Sequence, residues 1–332
     1  MKTRIVIGGS LIVVVMAMAS LLPSGVQRTA QAQSQSGAAG SGAPPLSNPL
    51  KVALLKWYKA NTVPTFFAVG SQPYGIAFDG ANIWTANFGS GTVTKLRAND
   101  GEVLGTFPVG AAPVGLAFDG ANVWATNSAG GSVSKLRASD GKNLGTFNVG
   151  RQPWWPAFDG ENIWVPNYED GTVTKLRAKN GKNLGTFPTG TGGAIAAAFD
   201  GTYVWVATYA NSVVKMKEDG SIAGTFTVGA QPLGIAFDGA YMWVANQGGS
   251  SVTKLRASDG TVAGTFKLPL GPYGVAVDGE NVWVTGSFGI TELRESDGTV
   301  VRQFDAPNPS GVGFDGANVW VAVTPENMLA KM

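Results

Sequence analysis

Apolar and polar positions alternate in short bursts along most of this chain, and the bursts recur at a fixed period. One unit runs from Pro73 to Gly110. PYGIAFDG is an apolar run ended by Asp79-Gly80, and NIWTAN is ended by Gly89-Ser90-Gly91. TVTKLRA alternates from Thr92 to Ala98 and closes at Asp100-Gly101, and EVLGTFPVG ends at Gly110. Short β-branched and aromatic runs bounded by Gly and Asp read as strands joined by tight turns. No stretch carries helical spacing with caps. Each unit therefore predicts four strands, A to D.

The unit repeats. Its landmark reads FDGANIW from Phe78, FDGANVW from Phe118, FDGENIW from Phe158 and FDGTYVW from Phe199. It continues as FDGAYMW from Phe237, VDGENVW from Val277 and FDGANVW from Phe314. The steps between landmarks are 40, 40, 41, 38, 40 and 37 residues. A period near 40 with four strands per unit predicts an all-β fold, a seven-bladed β-propeller. The last unit stops at Met332 without a D strand, while TVPTFFAVG (Thr62 to Gly70) resembles the D strands EVLGTFPVG and TVAGTFKLP. The N-terminal strand is expected to complete the last blade and so remove the exposed edges of an open array.

The repeat assigns residues 62–332 to one domain, although 332 residues would allow two. Residues 1–32 read as a signal peptide: Lys2 and Arg4 precede an uncharged run from Ile5 to Leu22, and Ala30-Gln31-Ala32 offers a small-residue cleavage site. Retention of that run as a membrane anchor is the alternative. Residues 33–61 read as a flexible Ser/Gly/Pro-rich linker and a short apolar capping segment with Trp57 and Tyr58. The expected location is secreted or periplasmic, with membrane contact only if the N-terminal segment is kept, and the expected state is a monomer. Cleavage removes Lys2, Arg4 and Arg28 and no acid, turning a formal +2 into −1. A near-neutral chain lacks the basic surface that nucleic acid requires. With neither Cys nor His present, disulfides, thiolate sites and imidazole chemistry are excluded.

Residues present in every unit are explained by what every blade needs. Asp79, Asp119, Asp159, Asp200, Asp238, Asp278 and Asp315 are expected to cap their own tight turns rather than hold metal. The seven landmark tryptophans are expected between blades. Asn87, Asn127, Asn167 and Asn246 are expected to shape turns. The Lys-Leu-Arg triplets at Lys95, Lys135, Lys175 and Lys254 are expected on a solvated or locally paired strand edge.

Function is sought where the repeat breaks. The position four residues before each landmark, at the mouth of strand A, holds Tyr74, Val114, Trp154, Ile195, Leu233, Tyr273 and Ser310. The next position is Gly in five units, Trp155 in the third and Ala196 in the fourth. The third unit departs most, with RQPWWPAFDG and WVPNYEDG. Together with Phe88 and Tyr209, these breaks place Tyr74, Phe88, Trp154, Trp155, Tyr168, Glu169, Asp170, Tyr209 and Tyr273 on the D–A and B–C connections of one face. Aromatic platforms with a few carboxylates suit a small molecule, a glycan or a protein. The competing reading is that Trp154 and Trp155 plug the channel mouth between Pro153 and Pro156. No catalytic residue, metal or cofactor is assigned.

The unit PxGIAFDGxxIWVAN…VTKLRASDG resembles secreted bacterial propellers of the YVTN/YncE-like and NHL-like group, and it is similar to the virginiamycin B lyase (streptogramin lyase) relatives. That resemblance implies a seven-bladed propeller. For the lyases it also implies elimination chemistry on a cyclic depsipeptide with histidines, a glutamate and magnesium. This sequence has no histidine onto which that base can be carried. Nor does any strand A carry a carboxylate before its landmark Asp, as the calcium-dependent lactonase propellers require. The preferred reading is a binding scaffold working through the D–A/B–C face near the third and fourth units. The alternatives are a lyase-like enzyme with a diverged site and a surface-tethered structural module.

Overall fold

The computed structural model describes residues 64–269 and 271–332. The expected signal peptide at 1–32, the linker and capping segment at 33–61, and Thr62 and Val63 lie outside the described residues.

The described residues form seven four-stranded antiparallel sheets, and the only helical element among them is one 3₁₀ turn at Ser128–Gly130. Blade 1 shows the common plan, with A at Pro73–Phe78, B at Asn82–Asn87, C at Thr92–Arg97 and D at Val103–Pro108. Blade 7 is built from both ends of the chain. Pro309–Phe314, Val319–Val323 and Met328–Lys331 supply its first three strands, and Thr65–Ala68 pairs antiparallel with the third. The register runs from Thr65 opposite Lys331 to Ala68 opposite Met328. Ring closure by the N-terminal strand is thus as the repeat predicts.

The landmark Asp and Trp act together. In blade 1, Asp79 Oδ1 accepts from the backbone N–H groups of Ala81 (3.0 Å) and Asn82 (2.7 Å), while Oδ2 accepts from Trp84 Nε1 at 2.8 Å. The same Trp-to-Asp bond of 2.6–2.8 Å recurs in every blade, through Asp119, Asp159, Asp200, Asp238, Asp278 and Asp315. The carboxylate therefore closes the A–B turn and satisfies the indole N–H of a buried ring, which would otherwise cost free energy.

The repeated lysines depart from expectation. Lys95 is 7% exposed, and its Nζ crosses to the next blade to donate to Ala138 O at 2.6 Å while lying 5.2 Å from the centroid of the Trp84 ring. Lys135 to Ala178 O (2.6 Å), Lys175 to Glu218 O (2.8 Å), Lys215 to Ala257 O (2.7 Å) and Lys254 to Glu295 O (2.7 Å) repeat this clasp. The physical reason is cross-strand pairing. Trp84 sits directly opposite Lys95, so the stem packs along the indole and the ammonium overshoots to the neighbouring blade's C–D turn. Only the arginine of each triplet stays outside, as Arg97 does in pairing with Asp100 at 2.9 Å. In blade 6 the lysine position holds Glu292, 3% exposed and bonded to Arg302 Nε of its own D strand at 2.7 Å.

The D-strand phenylalanine forms a second inter-blade contact. A Cβ on Gly141 would fall 2.2 Å from the Phe107 ring of the preceding blade, and one on Gly101 would fall 2.0 Å from Phe67 of the N-terminal strand. Both glycines have positive φ, 73° and 77°, so the turn and the overlying ring each require Gly. The strand-end asparagines do more than shape turns: Asn127 is fully buried, donates to Ser132 and Ser134, and accepts from Gly110 N at 3.0 Å.

Candidate functional site

Strand A carries a β-bulge at the mouth of most blades. In blade 1, Pro73 pairs with Asn87 and Ile76 with Thr85, so Tyr74 and Gly75 together oppose Ala86. The bulge turns Tyr74 toward the ring centre and brings Gly75 against the next blade, where an added Cβ would lie 2.3 Å from Val114 O. Gly234 and Gly311 meet Tyr273 O and Tyr74 O in the same way, at 2.5 and 2.0 Å. In these blades the inner strands leave no room for a side chain at that position.

Blade 3 breaks this arrangement. Its strand A is reduced to Ala157–Phe158. Trp154 N still donates to Pro166 O of its own blade at 2.9 Å. Trp155 instead joins blade 4 in a parallel bridge, donating to Ile195 O and accepting from Ala197 N, both at 3.0 Å. Pro156 and Pro166, which have no N–H, lower the hydrogen-bonding cost of leaving the home ladder.

The Trp155 ring then reaches the far side of the ring, 5.3 Å from Tyr273 of blade 6 and edge-on at 84°. This contact joins two groups of aromatic residues into one row. On one side, Tyr273 meets Tyr74 at 6.3 Å and Tyr74 meets Phe88 at 5.5 Å. On the other, Trp155 meets Trp154 at 5.2 Å, Trp154 meets Tyr168 at 6.3 Å and Tyr168 meets Tyr209 at 5.8 Å. The seven aromatic residues assigned to this face as candidate ligand contacts all belong to this row, whereas Phe288, in a B–C connection comparable to that of Phe88, has no ring contact among the described residues and is exposed. Its ends are exposed, Phe88 at 37% and Tyr209 at 36%, and its middle packs on Ile195 and Leu233. Burial, then the neighbouring Tyr74, holds the Tyr273 hydroxyl protonated, well above the usual phenol range.

The two carboxylates lie apart from the row's centre, on the exposed rim. Asp170 accepts from Arg151 N and Arg151 Nε, both at 2.7 Å, and Glu169 is bonded to Gln152 Nε2. The backbone N–H and side chain of Arg151 keep Asp170 below the usual carboxylate range. Both acids are therefore engaged by neighbouring side chains, Asp170 by Arg151 and Glu169 by Gln152 and, at 3.5 Å, by Arg151.

A cavity on this face lies beside the row rather than in blades 3 and 4. It measures about 650 Å³ and is lined by loops of blades 5, 6, 7 and 1. Tyr74, Tyr273 and Ser310, all from the variable strand A mouth position, form part of its wall, and the other candidate ligand contacts do not. Its remaining polar lining is hydroxyl and amide groups, including Gln72, Gln247, Ser287, Asn308 and Asn327. Sequence reasoning missed these because each is an ordinary loop residue in its own unit. The available signal was that blades 6 and 7 also break the repeat, with TGSFG and VTPEN in their B–C connections.

The fold is that of virginiamycin B lyase-like seven-bladed β-propellers. A structure of streptogramin B lyase aligns with a TM-score of 0.69 at 19% identity, over 81% of this chain and 96% of that one. Virginiamycin B lyase from Staphylococcus aureus aligns with a TM-score of 0.69 at 19% identity, over 81% and 98%. Kuenenia stuttgartiensis hydrazine synthase gives 0.71 at 18% identity, over 82% and 98%. Identities this low establish shared architecture, and proteins with names this different do not point to one activity. No protein-family model matches the chain, and no curated protein sequence does either.

Proposed function

We propose that this chain is an exported propeller acting as a binding scaffold, taking a small molecule, glycan or protein on its D–A/B–C face. The observation that carries the reading is the unbroken aromatic row from Phe88 to Tyr209, assembled from the breaks in an otherwise regular repeat. Rigid aromatic surface with hydroxyl tips binds ligands with little loss of side-chain freedom. A scaffold also fits the chemistry at hand: the sequence contains no histidine or cysteine, and the rim acids Glu169 and Asp170 are engaged by Gln152 and Arg151. Lys2 and Arg4 ahead of an uncharged run, followed by Ala30-Gln31-Ala32, support export.

The test is a thermal-shift and array screen of small molecules, glycans and peptides, followed by the double variant Trp154→Ala/Tyr168→Ala. The expected result is loss of the hit with the β-sheet spectrum unchanged. A hit bound equally well by that variant and by Tyr74→Ala would remove the row from the binding face. Export is checked by the mass of the chain recovered from outside the cytoplasm, which should begin after Ala32.

A further inference from the structure

The cavity of about 650 Å³ sits on the seam where the two ends of the chain meet. Ser71, Gln72 and Tyr74 on its blade 1 side follow the N-terminal strand, and Asn308, Ser310, Thr324 and Asn327 on its other side belong to blade 7. Hydrogen bonds already cross between the two sides. Ser310 Oγ and Thr324 Oγ1 donate to Pro73 O at 2.9 and 3.0 Å, and Asn327 Oδ1 accepts from Gln72 N at 2.9 Å.

The chemistry of the wall is one-sided. Among the described residues, none that lines it is charged. An anionic or cationic ligand would lose its hydration there without gaining a partner. The polar groups are amides and hydroxyls, which both donate and accept, and so match ligand hydroxyls that do the same. Tyr74 and Tyr273 add two aromatic faces, and burial keeps the Tyr273 hydroxyl protonated. The volume falls within the range of small-molecule sites, roughly 300–1,000 Å³.

We propose that this seam cavity binds an uncharged polyhydroxylated ligand, a short neutral saccharide, held against Tyr74 and Tyr273 by the surrounding amides, and that occupancy braces the closure of blade 7. The inference rests on the scaffold reading and names the ligand class for one end of the aromatic row. A saccharide touching Gln72 on one side and Asn308 on the other adds bonds across the seam, so binding favours the closed ring over a state in which Thr65–Ala68 has detached.

The experiment uses the full chain and a panel of neutral two- to four-unit gluco-, xylo- and N-acetylglucosamine oligosaccharides, with uronate oligomers of equal length as charged counterparts. Isothermal titration is expected to show neutral oligomers binding and the uronates binding about tenfold more weakly or not at all. Gln247→Ala and Asn308→Ala, both at the cavity wall, should each weaken binding about fivefold to tenfold. Tyr273→Leu, which keeps an apolar contact for Trp155, should weaken it further. Bound saccharide should slow hydrogen exchange at Thr65–Ala68 and Met328–Lys331 and leave Asn183–Pro188 of blade 3 unchanged. If none of the neutral oligomers binds, or if binding survives Gln247→Ala, Asn308→Ala and Tyr273→Leu, the inference is overturned. A hit from another chemical class that follows Trp154→Ala/Tyr168→Ala but not the cavity variants overturns it while leaving the scaffold intact.

Discussion

Lys331 Nζ donates to the carbonyl oxygens of Ala98 and Asn99 at 2.7 Å, although more than 230 residues separate the partners. It is the clasp of Lys95 on Ala138 repeated across the seam, and Phe67 over Gly101 repeats the ring-on-glycine contact there too. The junction that closes the ring is thus built from the same parts as the junctions within the chain. Closure contributes stability as a blade interface and also covers strand edges that would otherwise be open to other chains.

Replacing Lys331 with Met keeps an apolar stem over Trp320 and removes two charge-assisted hydrogen bonds. The expected cost is about 2–3 kcal/mol, read as a lower urea midpoint. Lys135→Met, at an interior junction, should cost a similar amount. Only Lys331→Met should also speed hydrogen exchange at Thr65–Ala68. Deleting residues 62–70 removes the whole strand and should destabilise the ring more than either. Unchanged thermal stability of that truncation would refute closure by the N-terminal strand.

Asp119 and Trp124 form one unit, with Oδ2 accepting from Nε1 at 2.7 Å and Oδ1 capping Ala121 N and Asn122 N. Asp119→Ala leaves an indole N–H and two turn N–H groups without this partner, at a cost of about 2–4 kcal/mol. Trp124→Phe/Asp119→Ala, which deletes both ends of the indole bond, should cost less than the sum of the single changes. Strict additivity in a double-mutant cycle would show that the bond contributes nothing.

The same turns set the acid limit of the fold. Burial by itself would raise the pKa of Asp79, Asp159, Asp278 and Asp315. The bonds from the indole, from the backbone N–H groups and, for these four, from the following Asn outweigh it and hold the carboxylates below their ordinary value. A depressed folded pKa contributes stability above the unfolded pKa of about 3.9, and that contribution is lost as pH falls through the folded value. With no histidine in the chain, the melting temperature should stay nearly flat between about pH 5 and pH 9 and drop below about pH 4. A midpoint that instead fell between pH 7 and pH 5 would place the controlling groups elsewhere.

The blade count, strand order and closure were legible in the sequence because each depends on local turn chemistry repeated seven times. The clasp was not. A lysine is expected at the surface, and its burial here depends on a carbonyl about 43 residues away, as between Lys95 and Ala138. Like the landmark Asp and Trp, this lysine serves the blade in which it recurs, and it recurs in every blade but the sixth, where Glu292 replaces it. Trp154, Trp155, Tyr168 and Tyr273 stood out by breaking the pattern, yet their continuity could not be read, since it rests on Trp155 leaving its own blade to reach Tyr273. The seam cavity was hidden for a related reason: Gln72 and Asn327 become neighbours only when the ring closes.

The two adjacent tryptophans of blade 3 should differ in how much substitution costs. Trp154 Nε1 is buried and has no hydrogen-bond partner among the described residues. Trp154→Phe removes that unsatisfied donor while keeping an aromatic ring beside Tyr168, so stability should change by no more than about 1 kcal/mol. Trp155 has no such slack. Its ring packs against the cluster that contains Ile195 and meets Tyr273 of blade 6 at 5.3 Å. Trp155→Ala should cost about 2–4 kcal/mol from the lost burial and the void left behind. Trp155→Gly restores the residue found at this position in five blades, but Pro156 still prevents a regular strand A, so it should be no more stable than Trp155→Ala. Guanidinium unfolding of the three variants gives the order directly. If Trp155→Gly matched the parent, Trp155 would be a passive plug in a blade able to adopt the common plan.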